Sequence, residues 1–163
     1  MAGIYIHIPF CKQACHYCNF HFSTNLKSKK TIIDSIIKEI KLKSKFENEE
    51  IETIYFGGGT PTLLSPLETE AIVNCIYKYY KVKSESEITI EANPDDITID
   101  RLKFLKKLSF NRLSIGVQSF IDSELKLMNR AHNSNKAIRS VEVSKSIFNN
   151  ISVDLLYGLP DSN

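Results

Sequence analysis

The chain has no tryptophan, only two methionines, five prolines and six glycines in 163 residues. So little proline and glycine leaves no collagen-like repeat and no flexible or Pro-rich linker. Charge of one sign is lacking as well. Lys+Arg 21 against Asp+Glu 19 gives a formal net charge of +2, and only four of the basic residues are arginine. A surplus so small and scattered makes no nucleic-acid footprint, and no nucleic-acid partner is expected. No apolar run approaches the ~18 residues that span a bilayer, and the N-terminus lacks a basic segment followed by an apolar run and a cleavage site. A cytoplasmic protein with no membrane span is expected. What remains is an ordinary globular composition, 42% hydrophobic and 25% charged, in a length that suits one domain or most of one.

The cysteines depart from this plainness. Three of the four fall in Cys11-Lys-Gln-Ala-Cys15-His-Tyr-Cys18, a CxxxCxxC pattern, while Cys75 stands alone in an apolar helical stretch and reads as a small buried residue. An uneven cluster in a chain without secretory features is not a disulfide framework. Three thiolates this close can hold three irons of a cubane cluster and leave the fourth iron open to a substrate. A structural zinc site, the alternative, needs a fourth ligand from His16 or His21.

Periodicity places this loop in a regular series. Ile4, Ile6 and Ile8 alternate with Tyr5 and His7 and stop at Pro9, a strand. Ile33, Ile36, Ile37 and Ile40 make one face of a helix over about 31–46. Ile51 to Phe56 is a second strand running into Gly57-Gly58-Gly59-Thr60-Pro61. Ser65-Pro66-Leu67-Glu68 combines an N-cap, a proline at the first helical position and a capping-box glutamate. Ile72, Val73, Ile76 and Tyr80 give that helix its buried face. A third strand at Ile88 to Ile90 ends at Glu91-Ala92-Asn93-Pro94. A helix with Leu102, Leu105 and Leu108 follows, then a fourth strand from Arg112 to Val117. Helical segments begin near Asp122 and Ser134, the second with Ala137, Ile138, Val141 and Phe148 spaced for burial. Ile151 to Leu156 is a fifth strand. Helices between all strands predict a parallel sheet with right-handed crossovers, either an open doubly wound sheet or a whole or partial (β/α) barrel. In both, the strand C-termini, where most of the glycines and prolines fall, are the ligand face.

At those strand ends the triple glycine lacks the Lys-Ser/Thr of a phosphate loop and the GxGxxG spacing of a dinucleotide site. Glu91 is a carboxylate able to accept hydrogen bonds from a ribose or an ammonium group. His7 is expected to be a satisfied strand histidine, and His132 a surface or capping residue at a helix start. Tyr77, Tyr79 and Tyr80 beside Lys78 and Lys81 read as a buried tyrosine and a solvated helix face.

The ordered blocks YIHIPFC from Tyr5, YFGGGTPTLL from Tyr55, IEANP from Ile90, NRLSIGVQSF from Asn111 and VDLLYGLP from Val153 resemble radical S-adenosylmethionine (SAM) proteins of the oxygen-independent coproporphyrinogen III oxidase family. The resemblance runs the length of the chain. It implies the N-terminal portion of a partial, TIM-like (β/α) barrel with about five parallel strands. It also implies a [4Fe-4S] cluster on Cys11, Cys15 and Cys18, with SAM chelating the open iron and an electron donor whose electron yields a 5′-deoxyadenosyl radical. Tyr5, Tyr17, Gln118, Arg130 and Asp154 match family positions that line the SAM or second-ligand site. Gly58, Gly59 and Thr60 offer backbone for close approach to the methionyl end of SAM.

Within the family, the oxidases carry a further cysteine two residues after the third, where this chain has Phe20. That is the pattern of the heme-chaperone branch, and it implies heme or a related tetrapyrrole as ligand and a heme acceptor protein as partner. Decarboxylation of coproporphyrinogen is the alternative activity, disfavoured by Phe20. Family members continue beyond a fifth strand, so residues 1–163 are expected to be a radical SAM core incomplete at its C-terminus, without a sixth β/α unit and a C-terminal domain. A non-functional relic, poorly soluble by itself, is the third expectation.

Overall fold

The computed structural model describes residues 2–160. The closing Asp161-Ser162-Asn163, on which the expected truncation falls, lies outside the described residues. Five strands, β1 (Ala2–Ile8), β2 (Ile51–Gly58), β3 (Val82–Ala92), β4 (Arg112–Gln118) and β5 (Asn150–Leu155), alternate with helices α1 (Lys29–Lys43), α2 (Pro66–Tyr79) and α3 (Ile99–Lys107). The last crossover carries two helices, α4 (Asp122–Leu127) and α5 (Ser134–Lys145). The strands pair in the order β1-β2-β3-β4-β5, every pair parallel. A doubly wound sheet reverses strand order at a switch point; an order that never reverses is that of a (β/α) barrel, with right-handed crossovers stacking all helices on one side. The choice left open by periodicity is thereby made.

The two faces of the sheet differ in chemistry. Ile6, Ile8, Ile54, Phe56, Ile88, Ile90, Leu113 and Ile115 are buried in one core with Ile33 and Ile40 of α1, Ile72 and Ile76 of α2, and Leu102 and Leu105 of α3. Residues of the opposite parity, Tyr5, Tyr55, Thr89, Glu91, Arg112, Ser114, Ser152 and Asp154, are polar. Parallel sheets are ordinarily apolar on both faces, so the polar face is where a ligand site is to be sought. Among the described residues no helix is long and apolar enough to cross a membrane.

Helix boundaries follow local chemistry. At α2 the Ser65 hydroxyl accepts from the Glu68 amide (3.3 Å) and the Glu68 carboxylate accepts from the Ser65 amide (2.7 Å), the capping box read from sequence. At the end of α3, Ser109 takes φ +69°, with Ser109 N–H bonded to Lys106 O and Phe110 N–H to Leu105 O, a Schellman closure.

Three expectations change. β3 starts at Val82 rather than Ile88, because Ile51 pairs with Val82 before the register shifts to Thr53–Glu87 and Ser86 donates to Ile51 O. Ile138 is 47% exposed, while Ala137 and Phe148 are buried. His132 is buried, its Nε2 donating to Val117 O at 3.0 Å, and the cap of α5 is Asn133.

Candidate functional site

Pro9 ends β1 and Phe10, fully buried, turns the chain into the cysteine loop. The loop returns on itself: Cys11 N–H donates to Ser23 O (3.1 Å) and Ser23 N–H to Pro9 O (2.9 Å). Its tip is tied to two other strand-end connections. Lys12 pairs with Asp96, which also accepts from Thr62 at 2.7 Å. On the other side Gln13, Ala14 and His16 bond to the segment 127–129 that closes α4.

Beneath the loop lies the end of β2. Gly59 N–H continues the sheet pairing to Ile8 O (2.9 Å), and a Cβ at Gly59 would lie 2.6 Å from the Phe10 carbonyl oxygen. Gly58 has φ +113° and would set a Cβ 2.8 Å from the His7 ring. Only glycine fits both steps of this bend. Thr60 Oγ1 donates to the Cys11 thiol at 3.6 Å and accepts from Asn93 Nδ2 at 3.1 Å.

Glu91, at the end of β3, is held from two directions: Tyr55 Oη donates to one carboxylate oxygen (2.8 Å) and the Gly58 amide to the other (3.2 Å). Burial nonetheless raises its pKa above the ordinary carboxylate value, and the nearby Asp154 carboxylate adds to the rise. Asp154 in turn accepts from Ser114 Oγ (3.3 Å), which accepts from Ser152 Oγ (3.0 Å), which accepts from Arg112 Nη2 (3.2 Å). Gln118 adopts φ +71° at the end of β4.

Arg130 joins the parts. Its Nη1 donates to the Cys15 thiol (3.2 Å) and the Tyr17 hydroxyl (3.3 Å), its Nη2 to Asn93 Oδ1 (2.8 Å) and Gly116 O (2.6 Å). Burial raises the Tyr17 pKa and also that of the Cys11 thiol, to which neighbouring Cys18 and Cys15 contribute.

A cavity of about 490 Å³ at the strand C-termini is lined by Cys11, Cys15, Cys18, Tyr17, Gly58, Gly59, Thr60, Glu91, Gln118, Arg130 and Asp154. Tyr5 is the one candidate outside it. Half exposed on the edge strand, it stacks on the Tyr55 ring at 6.0 Å, donates to or accepts from His7 Nδ1 at 3.1 Å, and borders a separate hollow between β1 and α1. His7 is satisfied, as expected, by Tyr5 and the His21 carbonyl. Sequence reading passed over Tyr55, Asn93 and Asn129. Tyr55 and Asn93 lie inside the quoted blocks YFGGGTPTLL and IEANP, and an asparagine after an amphipathic helix is a helix-stop signal.

Among the described residues no group of three His, Cys, Asp or Glu side chains is arranged to hold a single metal ion. In a cubane each thiolate takes its own iron, so its thiols stand apart around a common space. The three thiols line one cavity of ample size, with an arginine donor on Cys15 and a hydroxyl donor on Cys11. This donor set fits a cluster.

Residues 5–163 match the model of the Radical SAM superfamily. The chain belongs to the radical SAM superfamily. Membership implies SAM and a [4Fe-4S] cluster as cofactors. Among relatives, the heme chaperone HemW of Bacillus subtilis is 40% identical over 164 residues, covering 98% of this chain and 43% of that protein. The mouse radical S-adenosyl methionine domain-containing protein 1, mitochondrial, is 35% identical, with 98% and 37% covered. Among solved structures, the radical SAM enzyme coproporphyrinogen III oxidase (HemN) of Escherichia coli superposes with a TM-score of 0.90 at 29% identity, covering 98% of this chain and 38% of that one. The radical SAM chain thus spans less than half the length of the relatives it matches. Its five strands are the N-terminal part of a radical SAM TIM-like barrel.

Proposed function

We propose that this chain is the cofactor-binding portion of a heme chaperone of the HemW kind. In this reading Cys11, Cys15 and Cys18 hold the [4Fe-4S] cluster, the cavity below the cysteine loop receives SAM, and heme is bound for transfer to an acceptor protein, with an electron donor serving the cluster. The observation that carries it is the single cavity at the strand C-termini, lined by three thiols and a convergent polar set, together with Phe20 where the oxidases place a further cysteine.

When bound, cluster and SAM supply reductive cleavage of the sulfonium. The chain's own residues bind, orient and screen. Thiolate formation at Cys11, Cys15 and Cys18 releases protons as metal enters. Gly58 and Gly59 expose backbone where a side chain would block approach. Glu91 and Asp154, two carboxylates close enough to raise the pKa of Glu91, suit an ammonium group or a ribose diol. Arg130 borders the cavity with its fork already engaged by Cys15, Tyr17, Asn93 and Gly116, so it supplies positive charge and holds the loop against the strand ends. Phe20 and Phe22 line the same cavity and offer apolar surface near the loop.

The oxidase is the second reading, favoured by the superposition on coproporphyrinogen III oxidase. Anaerobic reconstitution tests both. Alanine at Cys11, Cys15 or Cys18 should each abolish the broad visible absorbance and bound iron of the cluster; iron retained by all three variants sinks the cluster assignment. Added heme should produce a shifted Soret band and remain bound through gel filtration. Turnover of coproporphyrinogen to protoporphyrinogen, with SAM and reductant, replaces the chaperone reading by the oxidase.

A further inference from the structure

One side chain fastens the cysteine loop to the rest of the fold and belongs to none of the motifs above. Asn129 follows α4 with φ +57°. Its N–H bonds to Lys126 O (3.0 Å) and the Arg130 N–H to Leu125 O (2.8 Å), a Schellman closure with asparagine at the left-handed position. The carboxamide is left free to face the loop. Oδ1 accepts from Gln13 Nε2 at 2.6 Å, and Nδ2 donates to Ala14 O at 2.7 Å. The two preceding carbonyls extend the seam: Met128 O accepts from the His16 amide (3.1 Å), and Leu127 O lies 2.8 Å from His16 Nδ1.

Cys15 is therefore held on both sides, through Ala14 before it and His16 after it. The same left-handed turn that presents the carboxamide also launches Arg130, whose guanidinium reaches the Cys15 thiol at 3.2 Å. A flexible loop must be ordered before three ligands can meet one cluster, and that ordering is an entropic cost. A carboxamide with its donor and acceptor satisfied across 115 and 116 residues of sequence removes part of the cost in advance.

We propose that Asn129 is a positioning residue for the cluster: its carboxamide clamps Gln13 and Ala14 so that Cys15 and Arg130 are in register before metal binds. This rests on the assignment of Cys15 as a cluster ligand. Glycine separates the clamp from the helix cap, since it takes positive φ freely and has no amide. In the full chain, Asn129→Gly should keep the cluster-free protein folded, with a melting temperature lower by only a few degrees. It should raise hydrogen exchange at the His16 amide about fivefold, the effect of losing one net hydrogen bond. After reconstitution it should bind less iron and give an altered electron paramagnetic resonance spectrum of the reduced cluster. Asn129→Asp keeps the left-handed turn and an acceptor for Gln13 but loses the donor to Ala14, so it should fall between. Gln13→Ala should reproduce part of the loss without touching the turn.

Exchange, iron content and spectrum all equal to wild type in Asn129→Gly would overturn the proposal. Asn129→Ala keeps a β-carbon at positive φ without the polar side chain that lets asparagine tolerate that region; if it fails to fold, the glycine and Gln13 variants still decide. Should wild type take up no cluster, the cluster assignment fails, while the exchange measurement separately shows whether the clamp holds the loop.

Discussion

The Arg130 guanidinium spans the two halves of the site, donating to the Cys15 thiol at 3.2 Å through one nitrogen and to the Asn93 carboxamide at 2.8 Å through the other. The first partner belongs to the loop after β1, the second to the connection after β3. Arg130 itself comes from the crossover between β4 and β5. A planar fork can satisfy partners on separate sides at fixed angles, and an ammonium on a flexible stem cannot.

Arg130→Lys should therefore preserve charge and lose the bridge. Hydrogen bonds to a charged donor contribute about 1.5–3 kcal/mol each, so a cavity whose cysteine loop is no longer tied to the connection after β3 should retain SAM more weakly, by about tenfold. Equilibrium dialysis of reconstituted protein measures it. Wild-type affinity in the lysine variant would mean that charge alone matters.

The bend after β2 sets a different demand. A β-carbon at Gly59 meets the Phe10 backbone oxygen at 2.6 Å and the Phe10 carbonyl carbon at 2.9 Å, atoms that cannot rotate away. Gly59→Ala should lower stability by about 1–3 kcal/mol, the range for overpacking, and displace the adjoining Cys11. At Gly58 the obstacle is the His7 ring at 2.8 Å, which can turn, and the penalty comes from φ +113° instead. A His7→Ala background should thus leave the Gly59→Ala loss intact in thermal unfolding. Recovery in that background would place the clash elsewhere.

The alternation of strands and helices, the helix faces and the ligand edge were legible because hydrophobic period and punctuation are local signals: Ile4, Ile6 and Ile8 alternate, Pro9 stops them, and Ser65-Pro66-Leu67-Glu68 is a cap. The contacts of Arg130 were not legible. Its partners Cys15, Asn93 and Gly116 lie 115, 37 and 14 residues away, and nothing in the neighbourhood of residue 130 marks them. His132 misled for the opposite reason: its polar neighbours Asn133 and Ser134 belong to the helix start, while its own ring points back under β4. Tyr5 matches a family position at the ligand site, and its ring stacks on Tyr55 along the polar face of the sheet, with Glu91 nearby.

Glu91 gives a pH signature. Burial raises its pKa above 4.5 in the folded chain. For an acid raised on folding, the stabilising share is complete below the unfolded value and is lost as pH rises through the folded value. Glu91→Gln removes the ionisation while keeping an acceptor for the Tyr55 hydroxyl. The melting temperature of the cluster-free variant should accordingly fall less than that of wild type between about pH 4.5 and 7, and its SAM binding should weaken. Parallel curves for the two proteins would show that Glu91 is not the group that titrates.

His132 produces a slope of the other sign. Its Nε2 donates to Val117 O, whose carbonyl can only accept, so Nδ1 carries the lone pair, and that atom is buried with no hydrogen-bond partner among the described residues. Protonation would bury an N–H without an acceptor and set a second positive charge near Arg130; burial, then that charge, hold the pKa below 6.5. A base depressed on folding contributes stability that is complete above the unfolded value and is lost as pH falls toward the folded one. Each pH unit in that interval costs up to about 1.4 kcal/mol. His132→Gln keeps a donor for Val117 O and cannot be protonated. Thermal unfolding from pH 7.5 to 5.5 should show wild type losing stability steadily and the glutamine variant, less stable at the start, staying nearly level. A wild-type curve as flat as the variant's would mean that the buried ring accepts its proton without penalty, and the orphaned Nδ1 would then need an acceptor.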